Sequence, residues 1–129
     1  MWQGSSDTEI ILAAIEFWGI EKAVSKFIGM FSFALWDSEK ELLHIVRDRM
    51  GIKPLYWSYQ NGNFIFGSEL KALMSFEKWN AEIDKNSLAL FMKYKYVPCP
   101  ATIFKNTFQL EAATILTLDK NKNIRKNKY

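Results

Sequence analysis

The stretch from Met30 to Tyr56 limits what this chain can fold into more than any other. Its first part, Met30 to Trp36, predicts a strand with Phe31, Phe33 and Leu35 on one face and Met30, Ala34 and Trp36 on the other, because successive side chains of a strand point to opposite faces. A strand that is apolar on both faces belongs between two covering layers. Asp37-Ser38-Glu39-Lys40 then predicts a turn, Glu41 to Arg47 a returning strand, Asp48 to Pro54 a charged bend, and Leu55 the start of a third strand.

Both covers have candidates. Ser6-Asp7-Thr8-Glu9 reads as a helix start in which Ser6 caps and Glu9 reaches back to close a capping box. Ile11, Leu12, Ile15 and Trp18 follow at the spacing of one buried helical face, and Gly19 suits a left-handed stop. A second helix, about Glu21 to Ile28, carries Ala23, Val24, Phe27 and Ile28 and ends at Gly29. These two helices are the expected cover on one side. Leu55 to Tyr59 and Phe64 to Phe66 flank Gln60-Asn61-Gly62-Asn63. An Asn-Gly pair between apolar runs is a strong hairpin signal, because both central residues of such a turn need positive φ. Ser68 to Ser75 predicts a short helix with Leu70, Leu73 and Met74 inward. Asp84 caps another through about Tyr94, with Leu88, Phe91 and Met92 inward. Pro98-Cys99-Pro100 ends regular structure, and Ile103 to Leu110 and Thr114 to Leu118 read as late strands. The first four strands are expected to pair in sequence order as an antiparallel meander, giving an α+β fold with helices packed on sheet.

A chain of 129 residues that is 49% hydrophobic and 24% charged is long enough for one domain with a real core. No segment approaches the roughly 20 apolar residues of a membrane helix. Met1-Trp2-Gln3-Gly4-Ser5 has neither the basic start nor the apolar run of a secretory leader. No membrane partner and a cytoplasmic location are therefore expected. Cys99 is the single cysteine, which excludes an internal disulfide and a multi-cysteine metal site. The net charge of +3 resides in Lys120, Lys122, Arg125, Lys126 and Lys128; without these five, 12 basic residues face 14 acidic ones, a net of −2 for residues 1–119. A basic tail without a basic folded face does not suggest a nucleic-acid partner.

Asp7 is the first candidate for chemistry. A carboxylate there is favoured by the helix dipole alone, a reading that needs no function; the functional alternative is a carboxylate that binds a substrate ammonium. Arg47, Asp48, Arg49 and Lys53 could grip an anion, or form surface ion pairs worth little each. His44 reads as a half-exposed strand histidine with no second histidine or cysteine to share a metal. Cys99 lies between prolines with no base near it in sequence, so it reads as a structural thiol. Phosphate-loop, zinc-protease, CxxC and GxSxG patterns are absent.

Four blocks taken together say more. They are Ser6-Asp7-Thr8-Glu9, Gly29-Met30-Phe31-Ser32-Phe33-Ala34-Leu35-Trp36-Asp37, Arg47-Asp48-Arg49-Met50-Gly51-Ile52-Lys53-Pro54-Leu55-Tyr56, and Phe66-Gly67-Ser68-Glu69-Leu70-Lys71-Ala72-Leu73. In this order and spacing, continued through Tyr96-Val97-Pro98, they resemble the glutamine-hydrolysing asparagine synthetase family over essentially the whole chain. The resemblance implies a glutaminase domain of the N-terminal-nucleophile kind, an αββα sandwich of antiparallel sheets covered by helices. In that family an N-terminal cysteine, with its own α-amine as base, hydrolyses glutamine through a thioester. The ammonia passes to a synthetase domain, where ATP and Mg2+ serve the amidation of aspartate. The family is often homodimeric. By position, Asp7 matches the aspartate that binds the α-amino group of L-glutamine.

The departures shape the expectation. Met1 is followed by Trp2, so the family's N-terminal cysteine is absent, as are the arginine-containing and Asn-Gly-Glu segments that precede the Ser-Asp-Thr-Glu block. The late Pro-Gly turn reads Glu111-Ala112-Ala113, and no Ser-Gly-Gly-Leu-Asp-Ser ATP loop is present. Residues 1–118 are thus expected to be the C-terminal part of a glutaminase domain with its N-terminal portion missing, and 119–129 a basic linker toward an absent synthetase domain. Much of the second sheet is expected to belong to that missing portion. No catalytic residue, metal ligand or cofactor is assigned to the chain itself, ATP and Mg2+ being implied only for the synthetase domain. Asp7 is the one substrate ligand, and the chain alone is not expected to hydrolyse glutamine. Two further readings are a related amidotransferase of surface-polysaccharide biosynthesis, whose Trp-x-Gly-x-Ser-Asp-Thr-Glu beginning matches Trp2 to Glu9, and a non-catalytic interaction module.

Overall fold

A computed structural model describes residues 6–129; the residue-1 position and the Trp2 end of the Trp-x-Gly motif lie outside the described residues. Two helices come first, α1 (Asp7–Trp18) and α2 (Ile20–Lys26), then strands β1 (Ser32–Asp37), β2 (Leu42–Arg47), β3 (Tyr56–Gln60) and β4 (Asn63–Gly67). Helices α3 (Leu70–Met74) and α4 (Lys85–Tyr94) follow, then β5 (Thr107–Gln109), β6 (Thr114–Leu118) and β7 (Ile124–Lys128). The class is α+β, and every strand pair is antiparallel.

The strands do not form one meander. They form two sheets, ordered β1-β2-β6-β7 and β4-β3-β5. β2 takes β6 as its second partner, with Ile45 opposite Leu116, and the bend after Arg47 carries the chain into the other sheet. The reason is the two-faced apolar character noted above. Ile45 and Leu116, with the half-buried Ile124, meet Leu55, Trp57, Phe64, Phe108 and Leu110 between the sheets. Val46 and Ile115 point the other way, onto Val24 of α2, with Ile20, Phe27, Phe31, Phe33 and Tyr129 around them. Burying each such side chain contributes about 1.5–3 kcal/mol, so alternation along β2 and β6 stabilises both interfaces at once. Gly67 and Tyr56 are paired and face away from that core; a Cβ on Gly67 would lie 3.3 Å from Ala72 and Leu73 of α3. The layers therefore run α2, first sheet, second sheet, α3.

Three expectations change. α1 is not a cover: none of its residues is buried, its main contact is α2, and Phe17 is 80% exposed. Its apolar residues, Ile10, Ile11, Leu12, Ile15, Phe17 and Trp18, spread around the helix rather than along one stripe. In α4, Leu88, Phe91 and Met92 are exposed and only Ser87 is buried. Residues 119–129 are not simply a solvated linker. Ile124–Lys128 pairs along the whole of β6, Ile124 joins the inter-sheet core, and Lys126 meets Glu111 at 3.3 Å. Arg125, Lys126 and Lys128 thus stand on an outer strand, where cations discourage pairing with another chain.

Candidate functional site

Asp7 opens α1. Ser6 is extended (φ −85°, ψ 148°) and its hydroxyl accepts the Glu9 backbone N–H at 3.3 Å, so the helix end is capped by Ser6. The Asp7 carboxylate is left exposed, with no hydrogen bond or ion pair among the described residues. It stands over a cleft of about 380 Å³ whose opposite wall is the link between α2 and β1, Lys26 to Phe31. Only the middle of that wall is bare, with Ile28 98% exposed and Met30 59% exposed, while Phe27 and Phe31 pack on the cluster beneath α2. Gly29 has φ +136°, a conformation open to glycine, and this turns the chain from helix into strand.

Behind the wall lies a group whose arrangement the sequence did not reveal. Arg47 and Asp48 are buried and form neither surface ion pairs nor an anion grip. The Arg47 guanidinium donates to the carbonyls of Lys53 (2.8 Å), Leu110 and Gly51 (2.5 Å each). Asp48 accepts the backbone N–H groups of Met50, Ile52 and Lys53 at 2.9–3.1 Å. Burial pushes the Asp48 carboxyl up, and those amides outweigh it, so its pKa lies below the ordinary carboxylate value. The bend is thereby saturated with internal hydrogen bonds. The signal in the sequence is the Arg47-Asp48 pair beside Gly51, a residue type that lets backbone and guanidinium approach closely.

The other candidates stand apart. His44 is buried on β2, 8% exposed, rather than half exposed, with Nδ1 2.9 Å from the Thr117 hydroxyl. Burial holds its pKa below the usual histidine value. Cys99 is exposed beyond α4, with Sγ 3.7 Å from the Gln109 carbonyl. Partial burial pushes its thiol up, the reverse of what a nucleophile needs. A cleft of about 600 Å³ lies between α3, α4 and the outer face of the second sheet, with Leu88, Phe91, Val97 and Ile103 in its walls; neither Asp7 nor Cys99 lines it. Among the described residues no group of three or more His, Cys, Asp or Glu could hold a metal ion, and no helix is long and apolar enough to cross a membrane.

Comparison with known proteins places these features in a family. Residues 1–129 match the glutamine amidotransferase domain. The chain is 39% identical over 127 residues to the putative asparagine synthetase [glutamine-hydrolyzing] 2 of Methanocaldococcus jannaschii, covering 96% of this chain and 24% of that protein. It is 38% identical over 113 residues to asparagine synthetase [glutamine-hydrolyzing] 1 of Bacillus subtilis, covering 88% and 18%. Against asparagine synthetase [glutamine-hydrolyzing] 3 of the same organism it is 34% identical over 121 residues, covering 93% and 20%. The chain spans about a quarter or less of the length of these relatives. It belongs to the glutamine amidotransferase domain family, and its sequence is of the asparagine synthetase type.

Proposed function

We propose that this chain supplies part of the glutamine-binding half of an amidotransferase, with Asp7 as the group that takes the substrate's α-ammonium. The observation that carries the reading is the exposed carboxylate of Asp7, without a hydrogen bond or ion pair among the described residues, in the lining of a cleft of about 380 Å³. A carboxylate in that state gives a charge-assisted hydrogen bond to an ammonium at little desolvation cost. The layer order helix, sheet, sheet, helix supports a sandwich of the N-terminal-nucleophile type.

Binding and orientation are what these residues offer; attack on the amide is not. The single thiol, Cys99, lies outside the Asp7 cleft, and partial burial pushes its pKa up, away from what a nucleophile needs. On this reading the 129 residues alone bind glutamine without hydrolysing it. Use of the ammonia, with aspartate as acceptor and ATP and Mg2+ as cofactors, belongs to a synthetase domain.

Titration of the chain with L-glutamine, followed by amide NMR, tests the reading. Shifts confined to residues around Asp7 and Lys26 to Phe31 are expected, with no ammonia released on prolonged incubation. Saturation elsewhere, or ammonia release abolished by Cys99→Ala, overturns it.

A further inference from the structure

We propose that Asp48 and Arg49 are positioning residues for the Asp7 cleft, holding its opposite wall from behind. Three observations carry this. The middle of the wall, Ile28 to Met30, has almost no packing of its own, since Ile28 and Met30 are largely exposed and Gly29 carries no side chain, while Phe27 and Phe31 on either side pack on the cluster beneath α2. The wall is tied to consecutive residues of one bend just before its start and at its end: the Arg49 guanidinium donates to the carbonyl of Ser25, in the last turn of α2, and the Asp48 backbone N–H donates to the Phe31 carbonyl at 2.9 Å. The bend is itself rigid, because the Asp48 carboxylate and the Arg47 guanidinium are each committed to three backbone partners within or beside it.

A rigid bracket gripping the chain on either side of the exposed Ile28 to Met30 segment, beside the packed rings of Phe27 and Phe31, sets the distance between that segment and whatever faces it. Here the facing group is Asp7. Binding sites need their groups held within about 0.5 Å, and side chains far from the ligand commonly do the holding. Arg49 is the more informative of the two residues. It is exposed and belongs to neither core cluster, so its removal leaves the packing of both sheets intact. The functional consequence rests on the glutamine reading of Asp7; the mechanical statement does not.

The experiment uses the whole chain, 15N-labelled, with Arg49→Met and Arg49→Lys. In the unmutated chain the backbone order parameters of Ile28, Gly29 and Met30 are expected in the rigid range, about 0.85, and in Arg49→Met below about 0.6. Values in β3 and β4 should not change, and Arg49→Lys, which keeps one donor, should restore most of the order. L-Glutamine should bind Arg49→Met about tenfold more weakly, as a displaced wall loses of the order of one good contact. A wall already mobile in the unmutated chain overturns the proposal. So does a wall unaffected by Arg49→Met, or an equal loss of order across both sheets. A loosened wall with unchanged glutamine affinity removes the positioning role. If the unmutated chain ignores glutamine, the glutamine reading fails, and the order parameters still decide whether the bracket exists.

Discussion

The hydroxyl of Tyr129 donates to the backbone carbonyl of Arg47 at 2.8 Å, so the residue after β7 is fastened to the end of β2, two strands away in the same sheet. The ring packs with Val24, Val46 and Ile115 beneath α2. Burial pushes the phenol up to about 12, and the nearby Asp48 charge adds to this. Tyr129→Phe should therefore cost about 1 kcal/mol at neutral pH, the value of one partly buried neutral hydrogen bond. The sign with pH is definite. A group whose folded pKa exceeds its unfolded value of about 10 contributes fully below pH 10, and its contribution disappears as pH rises through about 12. Melting curves between pH 8 and 11 should converge for the two proteins above pH 10; parallel curves would refute the account.

Asp48 predicts the opposite limb. Its folded pKa lies below the ordinary value, so its contribution is present above about pH 4 and is lost as pH falls through the lower folded value. Asp48→Asn turns an amide N–H₂ toward backbone N–H groups that now have a carboxylate, and should cost about 2–4 kcal/mol at pH 7. Urea midpoints at pH 7 and pH 3 check this. The gap between the two proteins should narrow at pH 3, and a constant gap would show that the charge of Asp48 contributes nothing.

How far the sequence reached depends on the range of the interaction. Hairpins and helix caps are local. Asn61-Gly62 marked the β3–β4 turn and Asp84 marked the start of α4, where its carboxylate accepts the Asn86 and Ser87 N–H groups. The pairing of β2 with β6 joins segments some seventy residues apart. Nothing in Leu42–Arg47 alone chooses β6 over the next strand in line. β7 was hidden for a different reason: a strand in which Arg125, Lys126, Asn127 and Lys128 are all exposed has the composition of a solvated tail, and only the half-buried Ile124 betrays its place on the core. Asp7 could be singled out as a candidate by motif, whereas the hydrogen-bonded bend around Arg47 and Asp48 could not. Arg47 and Asp48 look like surface charges until the carbonyls and amides that enclose them are in place.

Gly51 tests that enclosure. Its φ is +64°, and an added Cβ would lie 3.1 Å from the Ala112 Cβ and 3.2 Å from the Arg47 guanidinium. Gly51→Ala combines left-handed strain with displacement of a guanidinium that is holding three carbonyls. The expected loss is about 1–3 kcal/mol, read as a lower urea midpoint with an unchanged slope. A loss under half a kilocalorie would mean that Arg47 can swing aside freely, and the rigidity assigned to the bend would fall with it.

Asp7 offers two effects that separate experimentally. As an acidic residue in the first turn of α1 it interacts with the helix dipole, an effect worth about 0.3–1 kcal/mol of stability. As the ligand of an ammonium it should contribute at least about 1.4 kcal/mol to glutamine binding, a tenfold change in affinity. Asp7→Glu keeps the negative charge at the helix end but moves the carboxylate outward by one methylene. Asp7→Asn removes the charge and keeps the shape. If Asp7 is a ligand, both variants lose glutamine affinity, while only Asp7→Asn melts measurably lower. Unchanged affinity in Asp7→Asn, together with its small drop in melting temperature, would reduce Asp7 to a favourable charge at a helix end and remove the one substrate contact on which the glutamine reading depends.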